Sequence, residues 1–330
     1  MDKQPMAEHG SPPGQDPRKS GEGPPVPNVL VELPDADGLA EALVDLAVPH
    51  EDINELLALR DRMMSDPGLR RLLKAGVREL VQDMGKIGGG GELPRLPEKS
   101  GAVGRWLPVY VFVAALPYVR AYHREQSVPD DVSRRTLADL GRNVAVHRRR
   151  RGTGGLLIPG WIGLHFRGEI YQLGRLQFQR SRLGGRTGEA VRAAGLPFGP
   201  GDLALNVHIP DFLGPITPEA CDRSLARARE FFARHFPEEP YRVATCHSWL
   251  LDPQLAEYLP KDSNIVRFQD RFRTAYEEKE ADDGAPVAFV FGDPELARDA
   301  LPRRTGVERA VGDHLRAGRH WYGGHGWFAI

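Results

Sequence analysis

The stretch 204-ALNVHIP-210 has the apolar and β-branched residues of a short strand, and a turn at 211–216 follows it. The next three residues, TPE at 217–219, are typical of a helix start, with threonine at the N-cap, proline at the first helical position and an acid in the first turn. The helix is predicted to extend to about Phe236, and a second strand-like run follows at 241-YRVATCHSWLL-251. Strand, helix and strand in this order predict a βαβ unit with two parallel strands.

The predicted βαβ unit has the features of an anion site. Unpaired N–H groups and the positive end of the helix dipole favour a phosphate or pyrophosphate at the helix start. His208 and His247 lie on the two strands, and an imidazole with an ordinary pKa of ~6.5 can act as a general base near neutral pH. A buried βαβ core whose histidines are only hydrogen-bonded fits the same pattern, so both interpretations stay open.

The composition is that of a globular protein. The chain has 330 residues, of which 41% are hydrophobic and 27% are charged, so two domains of ordinary size are expected. The formal net charge of -1 argues against a nucleic-acid partner. Cys221 and Cys246 are too few for a disulfide framework or a cysteine-based zinc site, which favours a reducing compartment.

The sequence pattern gives no membrane or export signal. The N-terminus lacks the apolar region of a signal peptide. The most apolar stretch, 107–119, is shorter than the ~20 residues of a spanning helix and contains Pro108 and Pro117. We therefore expect a buried core helix at this place, no membrane partner and a cytoplasmic location.

The apolar spacing divides the chain into three parts. Residues 1–28 are rich in proline, glycine and charge, and we expect them to form a disordered tail. Residues 30–152 carry apolar side chains at helical spacing, whereas residues 153–330 change to short strands and glycines. We therefore predict an α+β protein, in which a helical N-terminal domain precedes a mixed β-sheet domain flanked by helices.

Finer predictions follow within these parts. Residues 129–151 are predicted to form one helix that ends in four arginines. The segment 160–166 leads into strands on either side of Gly174, which marks a tight hairpin turn or a bulge. Residues 183–202 are expected to form a surface loop and residues 287–291 a strand.

Five blocks of the sequence resemble one family. They are LNVHIP at 205–210, GPIT at 214–217, CHSWLLDP at 246–253, SNIVRFQDRF at 263–272 and YQLGRLQF at 171–178. As a set they look like the blocks of a family of bacterial two-domain acyltransferases, in which a helical N-acyltransferase N-terminal domain precedes a GNAT-like C-terminal domain. The resemblance covers about residues 30–325 and implies that the predicted sheet domain is GNAT-like.

The resemblance implies acyl transfer. An acyl group would move from acetyl-CoA or another acyl-CoA, a co-substrate used without a metal, to a small-molecule or peptide amine that attacks directly. His208 or His247 would be the base, and Tyr258 would be the acid that protonates the thiolate. The strand end and the loop before the helix would bind coenzyme A through Val207, Ile209, Gly214, Ile216, Thr217 and Glu219.

Two alternatives stay open beside this interpretation. Pro215 and Pro218 lack backbone N–H groups and Asp211 is acidic, which favours a non-catalytic GNAT-like ligand-binding or regulatory protein. The other alternative is a thiol hydrolase that uses Cys246 as its nucleophile. It is disfavoured because Cys246 and His247 are neighbours on a strand and point to opposite faces.

Overall fold

The computed structural model describes residues 31–211 and 213–330, and the predicted disordered tail at 1–28 lies outside this part of the chain. The first half is helical, as the sequence predicts. Its helices are α1 (Ala36–Asp45), α2 (His50–Ser65), α3 (Pro67–Val81), α4 (Gly101–Glu125), α5 (Asp130–Leu137), α6 (Asp139–Arg151) and α7 (Pro159–Phe166).

Helix α4 is the centre of the helical half. Trp106, Tyr110 and Phe112 on this helix are fully buried, and the ring centroids of Phe112 and Phe166 lie 4.7 Å apart. By length and composition alone α4 is apolar enough to cross a membrane, but 72% of its apolar window is buried inside the protein. The stretch 107–119 therefore lies in a buried core helix, as predicted.

The single helix predicted at 129–151 is instead two helices, α5 and α6, which meet at Ala138. The break lets the start of α6 approach the turn after α1, where the Gly141 N–H donates to the Leu46 carbonyl at 3.0 Å. A Cβ atom at Gly141 would clash with the carbonyl oxygen of Ala47, so glycine is needed for this close approach. The break between α5 and α6 thus coincides with a contact to the turn after α1, and the apolar spacing within 129–151 gives no sign of it.

The second half is built on one mixed sheet of six strands. The strands are β1 (Ile170–Leu173), β2 (Leu176–Arg182), β3 (Leu203–His208), β4 (Val243–Ser248), β5 (Arg273–Ala281) and β6 (Tyr322–Ala329). Their order in the sheet is β1-β2-β3-β4-β6-β5, in which β3 and β4 pair in parallel and the other neighbours pair antiparallel. Gly174 joins β1 to β2 in a tight hairpin turn with a φ of 91°. Of the two structures predicted at Gly174, the hairpin turn is therefore the one that forms, and the bulge is not.

Helices flank the sheet, as the predicted α+β architecture requires. They are α8 (Gly185–Ala193), α9 (Pro218–His235), α10 (Asn264–Gln269), α11 (Gly284–Phe291) and α12 (Gly306–Arg316). Helix α9 begins where the sequence predicts, since the Thr217 side chain accepts a hydrogen bond from Ala220 N–H at 3.2 Å. Its apolar face packs against the sheet, so β3, α9 and β4 form the predicted βαβ unit.

Three segments are helical where the sequence pattern suggested other structures. Residues 160–166 lie in α7, the surface loop predicted at 183–202 contains α8, and the strand predicted at 287–291 is the end of α11. In α7, Ile162 and Phe166 lie one helical turn apart and are both buried in the core of the helical half. Short apolar runs suit strands and helices alike, and packing against neighbouring elements decides between them.

Strands β3 and β4 pair over only a short distance. Their parallel pairing joins Leu205 to Ala244 and Asn206 to Thr245. Beyond these two pairs, β3 remains paired with β2 as far as His208, while β4 remains paired with β6 as far as Ser248. The C-terminal ends of β3 and β4 therefore diverge, and we call the gap between them the β3–β4 opening.

His123 makes the stability of the helical half depend on pH. Its ring is buried on α4, and its Nδ1 lies 2.7 Å from Ser133 Oγ of α5. Burial lowers the pKa of His123 to about 4, whereas the same side chain in an unfolded chain titrates near ~6.5. Between these two values the unfolded chain binds more protons, so the folded state loses stability as the pH falls from 6.5 towards 4.

We expect His123→Gln to reduce this acid sensitivity, by at most about 1.4 kcal/mol of unfolding free energy per pH unit. Urea denaturation of the wild type and the variant at several pH values between 6.5 and 4.5 measures the effect. His50→Gln is the control, because His50 is exposed at the start of α2. An equal pH slope in the wild type and His123→Gln would contradict the prediction.

Candidate active site

Two cavities meet at the β3–β4 opening. The α6 cavity, about 430 Å³, lies between the sheet and helices α6 and α7. The α9 cavity, about 560 Å³, lies between the loop that precedes α9 and the starts of α10 and α12. Both cavities are lined by Ile209, Trp249, Leu250 and Phe289. A long ligand can therefore lie in one cavity and reach the other past this shared wall.

The β3–β4 opening also exposes strand edges to a ligand. Among the described residues, the pairing of β3 with β4 ends at Asn206 and Thr245. The next residues along the two strands, Val207 and Cys246, both line the α6 cavity. Strand edges without a pairing strand offer backbone hydrogen-bonding groups to an extended ligand.

His208 lies at the end of β3 on the wall of the α6 cavity. Its Nε2 is 2.9 Å from Gln179 Oε1, and its ring makes an edge contact with Trp161 at 4.8 Å between centroids. Burial lowers the pKa of His208 to about 3, and the nearby His165 adds to this effect, so the imidazole is neutral at physiological pH. When Nε2 donates to Gln179, Nδ1 keeps the lone pair that a general base needs.

His247 lies on the wall of the same cavity, so the structure brings the two predicted histidines together. The exposed His247 ring stacks on His325 at 3.9 Å between centroids, and His325 stacks on Tyr276 at the same spacing. The Nε2 atom of His325 is 2.9 Å from Glu278 Oε1. The stack therefore links the cavity wall to strands β6 and β5.

His247, Glu278 and His325 place possible metal-ligand atoms within 4.8 Å of one another. The two imidazole planes, however, are inclined by only 12° and stacked 3.9 Å apart. A metal bound by an imidazole nitrogen lies close to the plane of that ring, and two planes stacked in this way meet only far beyond the reach of a metal–nitrogen bond. The geometry therefore suits ring stacking and a histidine–carboxylate hydrogen bond better than a shared metal ion.

Tyr258 is placed apart from the two histidines. Its hydroxyl oxygen lies 3.0 Å from His314 Nδ1 and 3.3 Å from an Arg319 nitrogen. Within the described part of the chain, Tyr258 lines neither the α6 cavity nor the α9 cavity. The structure thus does not bring it to the β3–β4 opening, and its role as an acid stays a prediction.

The predicted coenzyme A residues are divided between the two cavities. Val207 lines the α6 cavity, and Ile209 lines both. Gly214 and Ile216 line the α9 cavity, and the φ of 76° at Gly214 is one that glycine adopts without strain. The other two members of the set, Thr217 and Glu219, lie at the start of α9, where Thr217 caps the helix and Glu219 is exposed.

A buried carboxylate on the wall of the α6 cavity was not predicted from the sequence. The Asp139 side chain, at the start of α6, accepts hydrogen bonds from Trp161 of α7 and Gln177 of β2, both at 3.0 Å. Arg142 lies 2.8 Å from the same carboxylate. Burial raises the pKa of Asp139, but His165 and Arg142 oppose this effect and hold the pKa below its usual value.

One signal in the sequence points towards this network. Gln177 and Gln179 alternate with apolar residues on β2, so both point to one face of the sheet. Gln177 is paired with His208, which places a polar strip along the cavity. Asp139 itself could not be connected to that strip, because the contact joins residues that are far apart in the sequence.

Cys246 has the properties of a core residue rather than a nucleophile. Its side chain is buried, and burial raises the pKa of the thiol to about 12. The reactive form of a cysteine is the thiolate, which this environment disfavours. The structure therefore gives the thiol-hydrolase alternative no activated nucleophile at this position.

Comparisons with known proteins agree with this architecture. A family model described as an N-acyltransferase N-terminal domain matches residues 37–168, and one described as a GNAT-like C-terminal domain matches residues 170–328. No curated protein matches the chain.

Solved structures with a similar fold are acyltransferases. One, in complex with decanoyl-CoA, is 40% identical to this chain with a TM-score of 0.82, and the match covers 91% of this chain and 90% of that chain. A mutant in complex with octanoyl-CoA is 39% identical with a TM-score of 0.83 and covers 92% and 91%. A third, in complex with decanoyl-CoA and teicoplanin, is 40% identical with a TM-score of 0.81 and covers 92% and 91%.

The buried Asp139 network predicts a large effect on stability. We expect Asp139→Ala to lower the free energy of unfolding by about 3–5 kcal/mol, because Arg142 and the N–H donors of Trp161 and Gln177 lose their acceptor. Asp131→Ala is the matched control, since its ion pair with Arg135 is exposed and is expected to contribute less than about 1 kcal/mol. Urea denaturation measures both, and equal losses would contradict the assignment.

Proposed function

This chain belongs to the family of acyltransferases that join an N-acyltransferase N-terminal domain to a GNAT-like C-terminal domain, and we propose that its acceptor is an amino group on a small molecule. The chain is an enzyme that takes its acyl group from a coenzyme A thioester. The non-catalytic alternative is not adopted, because similar chains at 39–40% identity are acyltransferases in complex with acyl-CoA.

The divergence of β3 and β4 is the observation that supports this function best. An extended thioester can lie in the α9 cavity and pass Ile209 and Leu250, which belong to both cavity walls. Its reacting carbonyl then lies beside the backbone of β3, where an N–H group can polarise it. An amine in the α6 cavity approaches the same carbonyl from the side of His208.

We assign the general base to His208. The amine nitrogen attacks the thioester carbon, an N–C bond forms, the C–S bond breaks, and coenzyme A leaves as a thiolate. His208 takes the proton that the amine loses, and because burial disfavours the charged imidazolium, this proton passes on to the thiolate or to solvent. This mechanism does not depend on Tyr258, which lines neither cavity and whose hydroxyl interacts with His314 and Arg319.

The relatives suggest the two substrates more closely. One similar acyltransferase is in complex with decanoyl-CoA and teicoplanin. We propose a medium-chain acyl donor and a glycopeptide-type acceptor for this chain as well. Apolar side chains on the α6 cavity wall, among them Val146, Leu157 and Ile158, support this proposal, and Ile158 is 51% exposed where an apolar group of a ligand can cover it.

A cytoplasmic location is part of the proposal. The two cysteines, Cys221 and Cys246, are free thiols in the structure. Free thiols suit a reducing compartment.

An assay with decanoyl-CoA and teicoplanin tests the function and its base. Thiol release and a mass increase of one decanoyl group on the acceptor are the readouts. We expect His208→Ala to lower kcat by roughly 10²- to 10⁴-fold, the usual contribution of a general base. His320→Ala is the control, because this half-exposed histidine hydrogen-bonds to Asp283 outside both cavities.

His247→Ala distinguishes the two candidate bases. A larger fall in kcat for His247→Ala than for His208→Ala would move the role to His247. Full activity of His208→Ala would contradict the proposed mechanism, and the absence of any acylated acceptor with the wild type would contradict the proposed acceptor.

Cys246→Ala tests whether a thiol takes part. We expect acyl transfer to stay within an order of magnitude of the wild type, because the buried thiol is not ionised. Labelling of the native protein by iodoacetamide, followed by mass spectrometry of the peptide that contains Cys246, provides the second readout. Loss of transfer in the variant together with rapid labelling of Cys246 would restore the thiol mechanism.

A further inference from the structure

Arg175 is a cation on the wall of the α9 cavity that forms no salt bridge with a described carboxylate. Two buried arginines nearby in the sequence each have an acidic partner, since Arg167 pairs with Glu169 and Arg180 with Glu239. A half-buried guanidinium is stable when anions or several acceptors compensate its lost hydration. The charge of Arg175 is therefore available to an anionic ligand of the cavity.

The β1–β2 hairpin holds Arg175 against the start of α9. The backbone N–H groups of Arg175 and Leu176 both donate to Ser224 Oγ, at 2.8 and 3.3 Å. Ser224 Oγ in turn donates to the carbonyl of Ala220 in the first turn of α9 at 2.9 Å. Arg175 thus has a fixed position beside the helix start, although it is distant from it in the sequence.

The Arg175 side chain also fixes the loop between β3 and α9. Its Nε donates to the carbonyl of Gly214 at 2.7 Å, and its Nη1 donates to the carbonyl of Pro210 at 3.1 Å. These two bonds use two of the five N–H groups of a guanidinium. The remaining N–H groups can bind a phosphate oxygen, and arginine is well suited to this contact.

The loop itself offers few groups to a phosphate. Pro215 and Pro218 have no N–H, and the side chain of Thr217 is occupied in capping α9. Glu219 places a negative charge in the first turn of the helix. A pyrophosphate at this place therefore needs a positive charge from outside the loop.

We infer that Arg175 supplies this charge and binds the pyrophosphate of the coenzyme A donor while it clamps the loop at Pro210 and Gly214. The inference rests on the proposed function, because it takes a coenzyme A thioester as the ligand of the α9 cavity. It assigns to the β1–β2 hairpin a contact with the donor, whereas the sequence assigned phosphate binding to the loop and helix start alone.

Two thioethers that differ only in the nucleotide part test the inference by binding. S-decyl-CoA carries the pyrophosphate, S-decyl-pantetheine lacks it, and neither can transfer an acyl group. Calorimetric titration of the full chain is expected to show that Arg175→Met raises the Kd of S-decyl-CoA by roughly 10- to 100-fold. The same substitution is expected to change the Kd of S-decyl-pantetheine less than about threefold, since that ligand has no phosphate to lose.

Two further variants control for folding and for charge. Arg182→Met removes an arginine of the same hairpin that donates to the carbonyl of Gly201 and lines neither cavity, and it should leave both Kd values unchanged. Arg175→Lys keeps the positive charge but loses the planar guanidinium, and it should raise the Kd of S-decyl-CoA less than Arg175→Met does. Melting temperatures of all variants identify any that do not fold.

If Arg175→Met raised the Kd of both ligands equally, the inference would be overturned, and Arg175 would only hold the loop in place. Unchanged binding of S-decyl-CoA would also overturn it. These results differ from a failure of the proposed function. In that case the wild type would bind S-decyl-CoA and Arg175→Met would bind it more weakly, but the wild type would form no acylated acceptor.

Discussion

The early end of pairing between β3 and β4 is the constraint on which the site depends. Two parallel strands that stay paired would fill this part of the sheet and leave no passage between its faces. Here the pairing ends at Asn206 and Thr245, while each strand remains supported by its antiparallel neighbour on the other side. The sheet thus opens locally without losing its continuity, and the two cavities share a wall at that point.

The helical half completes the site instead of only covering it. Asp139 of α6 holds Trp161 of α7, which contacts the ring of His208, and it also accepts a hydrogen bond from Gln177 of β2. The carboxylate therefore joins both halves of the protein on the wall of the α6 cavity. Breaking this connection is costly, because the buried Gln177 amide and the Arg142 guanidinium would both lose a charged acceptor.

Much of this architecture could be predicted from local signals. Thr217 and Pro218 mark the start of α9, and the apolar runs around it predict the two parallel strands. These signals act within a few residues, so they can be recognised in one sequence. The prediction of a strand at 287–291 was wrong, because its apolar residues suit a strand and a helix equally well. Packing of α11 against neighbouring elements favours the helix.

The site could be predicted only in part, for a related reason. His208 and His247 lie on strands that the sequence places side by side, whereas Asp139 and Arg175 reach the cavities through contacts between distant segments. Tyr258 illustrates the opposite case. It follows β4 closely in the sequence, but its hydroxyl is directed to His314 and Arg319.

A crystal structure with S-decyl-CoA would show directly whether the donor passes through the β3–β4 opening. We predict that the pantetheine arm lies in the α9 cavity and that the sulfur lies in the β3–β4 opening beside Val207, with the decyl chain continuing past His208. A donor bound on another face of the sheet, with β3 and β4 separated only by protein side chains, would contradict it.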